Sequence, residues 1–373
     1  MTYADRLLDR VSVRDWSDAQ LSSIVGDVRS AGLTHATDSG LRAGAASGGS
    51  VTAVLVAALE AGTIDGALVL GSKVVDGHVR GEFRIVDDRA GLVAAQGSKY
   101  VAVNFVRDAL PLIRATDGRL AVVALPCDVT TLRRRAEAEP EAIGAKVALT
   151  IGLFCSHNSR TDLVDMVTSR IEAQHGSSLE DFTFRTGHWR GQLSYRLADG
   201  TSGSASTSRL NDYRNLSLFS ERKCLSCDDH FGYDADVSAG DVWLYTLRER
   251  PIKPTIVLVR TEAGQAAFDL ARAVGAIEVE EVPARLALDG QARVAPHHHD
   301  VAARRKAGRL VGVNIRTGQR RRTRPFAFLD ALITVAGTRL TESARGRRMV
   351  ALLPHPVVRV LLVLRKGIAL LAR

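Results

Sequence analysis

The sequence predicts an α/β fold in which a mainly parallel sheet core is covered by helices. Two nearly continuous hydrophobic runs, at residues 121–127 and 147–155, are typical of strands in a sheet that is covered on both faces. Between residues 181 and 207, hydrophobic and polar residues alternate among glycines, which predicts a small antiparallel β insertion. Beyond residue 300 the sequence indicates a basic helical C-terminal tail.

The composition is that of a globular protein large enough to bury a substantial core. The 373 residues are 46% hydrophobic and 24% charged, so extensive disorder is not expected. We divide the chain into an N-terminal helical segment (1–33), a main domain (34–300) and a tail (301–373). No apolar segment of a signal peptide follows Met1, so we expect a cytoplasmic protein whose cysteines stay reduced.

Charge is distributed unevenly along the chain. Residues 301–373 contain 17 Lys and Arg against 2 Asp and Glu, whereas residues 1–300 contain 33 against 39. A basic tail on a mildly acidic body usually meets an anionic surface, either nucleic acid or membrane. Because no nucleic-acid recognition motif accompanies the arginines, nucleic acid is the less favoured partner.

Hydrophobic spacing also predicts elements outside these runs. Asp15 or Ser17 can cap a helix within the first thirty or so residues. Residues 64–70, 79–86 and 255–259 are expected to form strands, and residues 162–171 and 262–274 are expected to form helices.

A glycine-rich turn at residues 47–49 precedes a helical pattern that begins near Val51. Such a turn presents backbone N–H groups and the positive end of the helix dipole, which suit a phosphate group. By itself this signal is weak, because a Gly-Gly turn is more often a tight connection. The residues that could contact a phosphate here are Ser47, Gly48, Gly49, Ser50 and Thr52.

A second polar segment, Ser98-Lys99-Tyr100, is a further candidate for a cofactor site. Lys99 can compensate negative charge on a bound anion or take part in catalysis, and Tyr100 can stack on a ring. The residues alone fit a surface lysine and a half-buried tyrosine equally well.

The chain has four cysteines, and the sequence suggests that they converge. Cys224 and Cys227 form a Cys-x-x-Cys pair, whereas Cys127 and Cys155 each end a predicted strand. Ligands of open parallel sheets gather outside the carboxyl ends of the strands, where the second pair would lie. A Cys-x-x-Cys pair alone fits zinc, a redox dithiol or an iron–sulfur cluster, and four thiolates fit one zinc ion or one 4Fe-4S cluster.

Three residues near the cysteines are candidates for supporting roles. Asp128 is placed to cap the helix after Cys127, where a helix N-terminus would lower the pKa of the thiol and favour ligation. His157 can move a proton near neutral pH, or it can hydrogen-bond beside the ligands. Asp241 can orient backbone and cofactor groups.

Two groups of basic residues are weaker candidates. Arg185, His188 and Arg190 could contact an anionic substrate, although a solvated sheet face is the favoured interpretation. The three histidines at 297–299 are expected in an exposed turn rather than at a metal.

The end of the tail has the pattern of a surface helix. Residues 356–373 are mostly valine and leucine, and on a helix Arg359, Lys366 and Arg373 fall on one side and leave a broad apolar face. The run is too interrupted to span a bilayer and is patterned to lie in an anionic membrane surface, which would place the protein peripherally on the inner face of the cell membrane. Docking of this helix on the body or on a partner subunit is the alternative.

Several motifs occur together in a specific order. They are Ala45-Ala46-Ser47-Gly48-Gly49-Ser50-Val51-Thr52-Ala53, Gly97-Ser98-Lys99-Tyr100, Leu125-Pro126-Cys127, Gly152-Leu153-Phe154-Cys155, Cys224-x-x-Cys227 and Gly240-Asp241-Val242-Trp243. From about residue 34 to about residue 259 the chain thereby resembles the coenzyme F420 hydrogenase/dehydrogenase beta-subunit family, which includes the plant hydroxymethyl-chlorophyll reductases.

The resemblance implies an iron–sulfur flavoprotein in which the four cysteines hold one 4Fe-4S cluster beside FAD. Such a protein would pass electrons between a ferredoxin-like partner, the flavin, and coenzyme F420 or an organic substrate. Many relatives begin with extra cysteine clusters, whereas this chain has no cysteine before Cys127, so at most one centre is expected. The alternatives are an interaction protein with a structural zinc and an electron-transfer subunit without its own substrate. A homo-oligomer is left open.

Overall fold

A computed structural model describes residue 9 and residues 16–292, 294–320 and 322–372. Its strands are β1 (Ser30–Ala36), β2 (Gly66–Val75), β3 (His78–Val86), β4 (Leu120–Ala124), β5 (Val147–Leu153), β6 (Leu179–Thr186), β7 (Gln192–Leu197), β8 (Ser202–Ser206), β9 (Val237–Asp241), β10 (Thr255–Val259) and β11 (Ile277–Glu281).

Helices connect and cover these strands. They are α1 (Asp18–Val25), α2 (Ser39–Gly44), α3 (Ser50–Glu60), α4 (Arg89–Ala94), α5 (Phe105–Asp108), α6 (Leu110–Ala115), α7 (Pro126–Ala138), α8 (Thr161–His175), α9 (Ser208–Asn215), α10 (Glu262–Ala273), α11 (Arg285–Gly290), α12 (Ala295–His299), α13 (Val301–Val311), α14 (Pro325–Glu342), α15 (Ala344–Leu352) and α16 (His355–Leu371).

The central sheet has the strand order β11-β1-β10-β9-β5-β4-β2-β3. Its middle strands β2, β4, β5 and β9 pair in parallel, and β1 runs in the same direction because two antiparallel pairings separate it from β9. Within the described residues, five of the eight strands of this sheet therefore share one direction. The prediction of a mainly parallel core is confirmed.

Helices cover both faces of the sheet, as the continuous hydrophobic runs predict. Alternate residues of β4 point to opposite faces, so Leu120 and Val122 pack with α6 and α7, whereas Ala121 packs with α3. These three side chains are fully buried. A strand with two buried faces needs hydrophobic residues at every position, which explains the lack of alternation in this run.

The antiparallel insertion forms a separate three-stranded sheet in the order β6-β7-β8, as predicted. Its buried side chains, such as Phe182 and Leu193, share one core with α8, with α9 and with Val358 and Leu362 of α16. The end of the tail therefore packs onto the insertion.

The predicted basic tail is helical and lies on the body of the protein. Val301 and Ala307 of α13 share a hydrophobic core with Leu225, which lies between two of the cysteines. None of the described helices combines the length and hydropathy that crossing a bilayer requires.

Ser17, one of the two residues predicted to cap the first helix, is the N-cap of α1 and forms a capping box with Gln20. Asp15, the other candidate, lies outside the described residues.

A buried carboxylate joins the sheet to the helices on both sides. Asp236 accepts hydrogen bonds from the backbone N–H (2.8 Å) and hydroxyl (2.7 Å) of Thr150 in β5. It also accepts from the hydroxyl of Thr261 at the start of α10 (2.7 Å) and pairs with Arg133 of α7 (2.8 Å). Because only 5% of Asp236 is exposed, its removal would leave the buried N–H of Thr150 without its acceptor and would break the link to Thr261 and Arg133.

We therefore predict that Asp236→Ala lowers the free energy of unfolding by about 3 kcal/mol, measured by urea denaturation. The matched control is Asp87→Ala, because Asp87 is an exposed aspartate on the surface. It should change the free energy by no more than about 0.5 kcal/mol. Equal effects of the two substitutions would contradict this account of the network.

Candidate functional site

The candidate residues gather at one edge of the sheet, where the carboxyl ends of the like-directed strands meet. Cys127 and Cys155 follow β4 and β5, and Asp241 is the last residue of β9. The 47–49 turn follows β1 at the same edge, and Gly48 donates its N–H to Thr255 at the start of β10. The Cys224 and Cys227 pair lies in and after a 3-10 turn, Arg222–Ser226.

The structure brings the four thiol groups together, and all four are free. Burial raises the pKa of Cys155 well above its ordinary value, and negative charge on Cys224, Cys127 and Cys227 raises it further. Burial likewise raises the pKa of Cys127 and Cys227 to about 12 and that of Cys224 to about 11. Four thiols at this site therefore become thiolates only with a compensating positive charge.

We expected the N-terminus of the helix to lower the pKa of Cys127, but that pKa is raised. Helix α7 begins at Pro126 with Leu125 as its N-cap, and no side chain caps it. Asp128 instead lies beside the thiol, and after burial its negative charge is the largest cause of the raised pKa of Cys127. Lys223 pairs with Asp128 at 3.6 Å and partly offsets this charge.

The donor set fits a 4Fe-4S cluster. Three chain segments contribute four free cysteines, and each iron of such a cluster requires one thiolate. The backbone N–H of Asn158 donates to the sulfur of Cys224 (3.3 Å), as N–H groups do around cluster thiolates. Among the described residues, no three His, Cys, Asp or Glu side chains are grouped tightly enough to hold a single metal ion.

A buried arginine from the tail holds the cysteine loop. Arg304 of α13 donates to the carbonyls of Leu225 (2.8 Å), Cys227 (2.9 Å) and His297. Burial lowers its pKa to about 10, so it remains a cation at neutral pH. The tail thus places one positive charge against the loop that carries two of the cysteines.

His157 lies in a group of buried histidines behind the cysteines. Its ring centroid is 6.2 Å from that of His297, and His298 lies 5.2 Å from His297 and 5.1 Å from His230. Nδ1 of His230 lies 3.0 Å from the carbonyl of Cys155, and Nε2 of His298 lies 2.8 Å from the carbonyl of Ser156. Burial lowers the pKa of His157 well below its ordinary value, so its ring is neutral at neutral pH.

The expectation of an exposed turn at residues 297–299 is wrong. These residues end α12, and only 3% of His298 is exposed. The reason is tertiary, because this helix packs behind the loops that follow β5. The proposed catalytic role of His157 stays a prediction.

Lys99 has partners other than a cofactor. Its ammonium group donates to the carbonyls of Ala95, Gln96 and Gly97, just beyond the end of α4. Burial and the charge of Arg84 lower its pKa to about 8. Lys99 thus hydrogen-bonds the carbonyls at the C-terminal end of α4, where lysine is common. Its predicted roles in catalysis and cofactor binding stay predictions.

Tyr100 and Ser98 lie in the loop after α4, and both are half-buried. The guanidinium of Arg214 lies 4.1 Å from the centre of the Tyr100 ring, and Phe184 contacts that ring edge to face at 5.7 Å. The predicted stacking face of Tyr100 is therefore in contact with an arginine.

The 47–49 turn is fixed by close backbone contacts. Gly49 has a φ of 78°, the left-handed conformation that glycine adopts without strain, and it is the N-cap of α3. At Gly48 a Cβ atom would lie 2.6 Å from the carbonyl oxygen of Thr34, so only glycine fits. Ser47 shares a hydrogen bond of 2.9 Å with Thr255.

The next two candidates, Ser50 and Thr52, lie in the first turn of α3. The hydroxyl of Ser50 accepts a hydrogen bond from Thr34 (2.7 Å) and is buried, whereas Thr52 is half-buried on the helix. Of the five residues predicted to contact a phosphate, Ser47, Gly48 and Ser50 already have partners within the protein.

Beside this turn lies a buried charge cluster with more cations than anions. Asp241 pairs with Arg185 (2.7 Å) and with Lys253, whose side chains are 3% and 6% exposed. Both cations also lie against the Trp243 ring, at 4.8 and 4.4 Å from its centre. Lys253 donates to the carbonyl of Ala46 (3.1 Å), which ties the cluster to the 47–49 turn. Arg185 therefore lies in the site and not on a solvated face, so the favoured interpretation of that residue is wrong.

A cavity of about 480 Å³ opens beside Cys127. Residues 102–107 form one wall, and Asp128, Glu221 and Lys223 contribute charged groups to the lining. The cysteine site is thus reached from outside through a polar opening.

Sequence reasoning missed Lys253 and Arg304. Lys253 lies between two prolines and resembles a loop lysine, and Arg304 belongs to a run of basic residues that resembles a solvated tail. No local pattern distinguishes either from a surface cation, because both are buried by segments distant in sequence.

The structure is that of an α/β protein with four free cysteines and a buried charge cluster at the carboxyl edge of its sheet. Residues 33–107 match the N-terminal part, and residues 117–285 the C-terminal part, of the family described as coenzyme F420 hydrogenase/dehydrogenase, beta subunit. The chain belongs to this family, which confirms the resemblance seen in the motifs.

Individual relatives are more distant. The coenzyme F420-dependent sulfite reductase of Methanocaldococcus jannaschii is 29% identical over 255 residues, which cover 63% of this chain and 36% of that enzyme. The chain thus spans about a third of that relative. The coenzyme F420 hydrogenase subunit beta of Methanothermobacter thermautotrophicus is 26% identical over 281 residues, which cover 71% of this chain and 90% of that relative.

A solved structure has the same fold. A chain of the F420-reducing NiFe hydrogenase complex from Methanosarcina barkeri superposes with a TM-score of 0.60 and 21% identity. The match covers 79% of this chain and 98% of that chain.

We predict that Arg304→Met lowers the free energy of unfolding by about 3 kcal/mol in urea denaturation, because three carbonyls lose a charged donor. Arg304→Lys should recover only part of the loss, since one ammonium group cannot replace the planar guanidinium. The control is Arg309→Met, at an exposed position of the same helix, which should have little effect. Equal losses at Arg304 and Arg309 would contradict the anchoring role.

Proposed function

We propose that this protein is an oxidoreductase that transfers electrons between one 4Fe-4S cluster, FAD, and coenzyme F420 or an organic substrate. The observation that carries the proposal is the placement of four free cysteines and a buried charge cluster, in which Arg185 and Lys253 share Asp241, at the same edge of the sheet. Membership of a coenzyme F420 hydrogenase/dehydrogenase family supports it.

The four cysteines, Cys127, Cys155, Cys224 and Cys227, would hold the cluster, which supplies one-electron transfer when bound. The surrounding chain would stabilise the negative charge of the thiolates. The N–H of Asn158 donates to the Cys224 sulfur, and Arg304 brings a positive charge to the carbonyl of Cys227.

The coenzyme would bind beside the buried charge cluster of Arg185, Lys253 and Asp241. Two buried cations, Arg185 and Lys253, share the single carboxylate of Asp241, so one positive charge remains for an anion. A phosphate-bearing coenzyme such as FAD supplies that charge. The adjoining 47–49 turn and the helix that it opens would bind the phosphates, and Trp243 offers an aromatic surface nearby.

An electron partner would approach the cysteine site from outside. Relatives of this chain are named as subunits of F420 hydrogenases, so a partner subunit or a ferredoxin-like protein is the expected donor or acceptor. The cavity beside Cys127, with Lys223 in its lining, is the opening through which such a partner comes nearest to the thiols.

We predict that protein purified without oxygen contains about four irons and as many sulfides per chain and absorbs broadly in visible light. Cys127→Ala and Cys224→Ala should each remove most of this iron and absorbance, because each takes away one of four ligands. The control is Thr130→Ala, which removes a half-buried hydroxyl that donates to Asp234 (2.6 Å), on α7 near Cys127, without changing a cysteine.

A colourless protein with about one zinc per chain, lost in both cysteine variants, would refute the redox proposal. It would favour the structural-zinc alternative instead. A brown protein that needs an added partner to oxidise any substrate would identify the chain as an electron-transfer subunit.

We also predict that Lys253→Met weakens FAD binding about tenfold or more, because the buried cluster of Arg185, Lys253 and Asp241 loses its surplus positive charge. Affinity is measured by quenching of flavin fluorescence, with far-ultraviolet circular dichroism to confirm folding. The binding of wild type should weaken with added salt more than that of the variant. The control is Lys73→Met, which removes an exposed lysine paired with Glu82 on the surface. If Lys253→Met and wild type bind FAD with equal affinity, the buried charge cluster around Lys253 is not the FAD site.

A further inference from the structure

The last helix of the tail packs against the body with one side only. Val358 and Leu362 of α16 are buried in the core of the antiparallel insertion. On the same side, Arg365 pairs with Asp330 (2.9 Å) and donates to the carbonyl of Asn215 (2.5 Å). The helix is therefore fixed in orientation by a hydrophobic and a polar contact.

The other half of α16 faces away from this contact and is apolar throughout. At 100° per residue, every residue in the half-turn opposite Val358 and Leu362 is hydrophobic, proline or glycine. Val360 and Leu364 are each 60% exposed. The exposed members of this outer face are Val357, Val360, Val363, Leu364, Leu370 and Leu371.

Exposed hydrophobic side chains continue into the preceding helix. Leu352, three residues before α16, is 83% exposed, and Met349 of α15 is 61% exposed. Scattered exposed leucines are ordinary on protein surfaces, whereas a helix that is apolar over its whole outer half indicates a binding surface.

The surroundings of this face are basic. Residues 343–373 contain seven Lys and Arg and no Asp or Glu. Arg359 and Lys366 lie seven positions apart, so they follow one flank of α16, between its packed side and its outer face. Arg359 is 61% exposed at its side chain and also pairs with Asp212 (3.5 Å). Arg345 and Arg348 of α15 are also exposed.

We propose that the outer face of α16 lies in the surface of an anionic lipid membrane. The face has no side chain that can form a hydrogen bond, whereas protein interfaces carry about one hydrogen bond per 100–200 Å² and a polar rim. Hydrocarbon needs no such partners. Basic residues along the flank meet the phosphates of anionic lipid, as in helices that lie in the interfacial plane.

The fixed orientation makes this an attachment in the plane of the membrane. The inner side of α16 is held by the body and includes the paired Arg365, so lipid cannot surround the helix. This inference does not depend on the cluster or on the coenzyme, because none of its residues belongs to the cysteine site.

The test is flotation of the full chain with vesicles of phosphatidylcholine, with and without one third phosphatidylglycerol. We expect wild type to float with the anionic vesicles and far less with the neutral ones. Val360→Glu/Leu364→Glu should abolish flotation. Arg345→Glu/Arg348→Glu should reduce binding to anionic vesicles by about fivefold or more for each basic charge removed.

The matched control is Val75→Glu/Val274→Glu, which places the same charges at exposed valines outside the tail. It should float like wild type, and thermal unfolding should show that every variant is folded. Failure of wild type to bind anionic vesicles would overturn the proposal, as would unchanged binding by Val360→Glu/Leu364→Glu. A wild-type dimer that this variant converts to a monomer, without vesicle binding, would assign the face to a second copy of the chain instead.

Discussion

The common direction of β1, β4, β5 and β9 is the constraint on which the site depends. Because like-directed strands end at one edge, residues separated by up to about two hundred positions in sequence meet there without any local signal between them. Cys127, Cys155 and Asp241 each end or follow such a strand. The loop that contains Cys224 and Cys227 lies at this edge and contributes the other two thiols.

Buried charge sets the chemistry that this edge can support. Burial raises the pKa of all four thiols, so their ionised form needs positive charge nearby. In the buried charge cluster at the same edge the balance is reversed, because Arg185 and Lys253 outnumber Asp241. In our proposal, the thiols bind a cationic metal centre and the charge cluster binds an anionic coenzyme.

The tail has two distinct relations to the rest of the molecule. Its first helix, α13, inserts Arg304 between the carbonyls of the cysteine loop, whereas its last helix, α16, packs on the antiparallel insertion and leaves an apolar face outside. Both helices lie beyond residue 285, where the match to the family ends. Residues outside the family match therefore support the cysteine site and, in our proposal, attach the protein to a membrane surface.

The family and several elements, among them β4, β5, β10, α8 and α10, could be predicted from the chain alone, because hydrophobic period and motif order are local properties. Strands β1, β9 and β11 were not predicted, because their short sequences mix polar and small residues and contain no continuous hydrophobic run. Which charged side chains are buried was visible only in the folded molecule. Arg304, Lys253 and His298 have sequence contexts typical of exposed residues, and distant segments cover them. The raised pKa of Cys127 has the same explanation. The sequence predicts that Cys127 lies at the start of a helix, but the burial that raises its pKa depends on all the segments packed around the thiol.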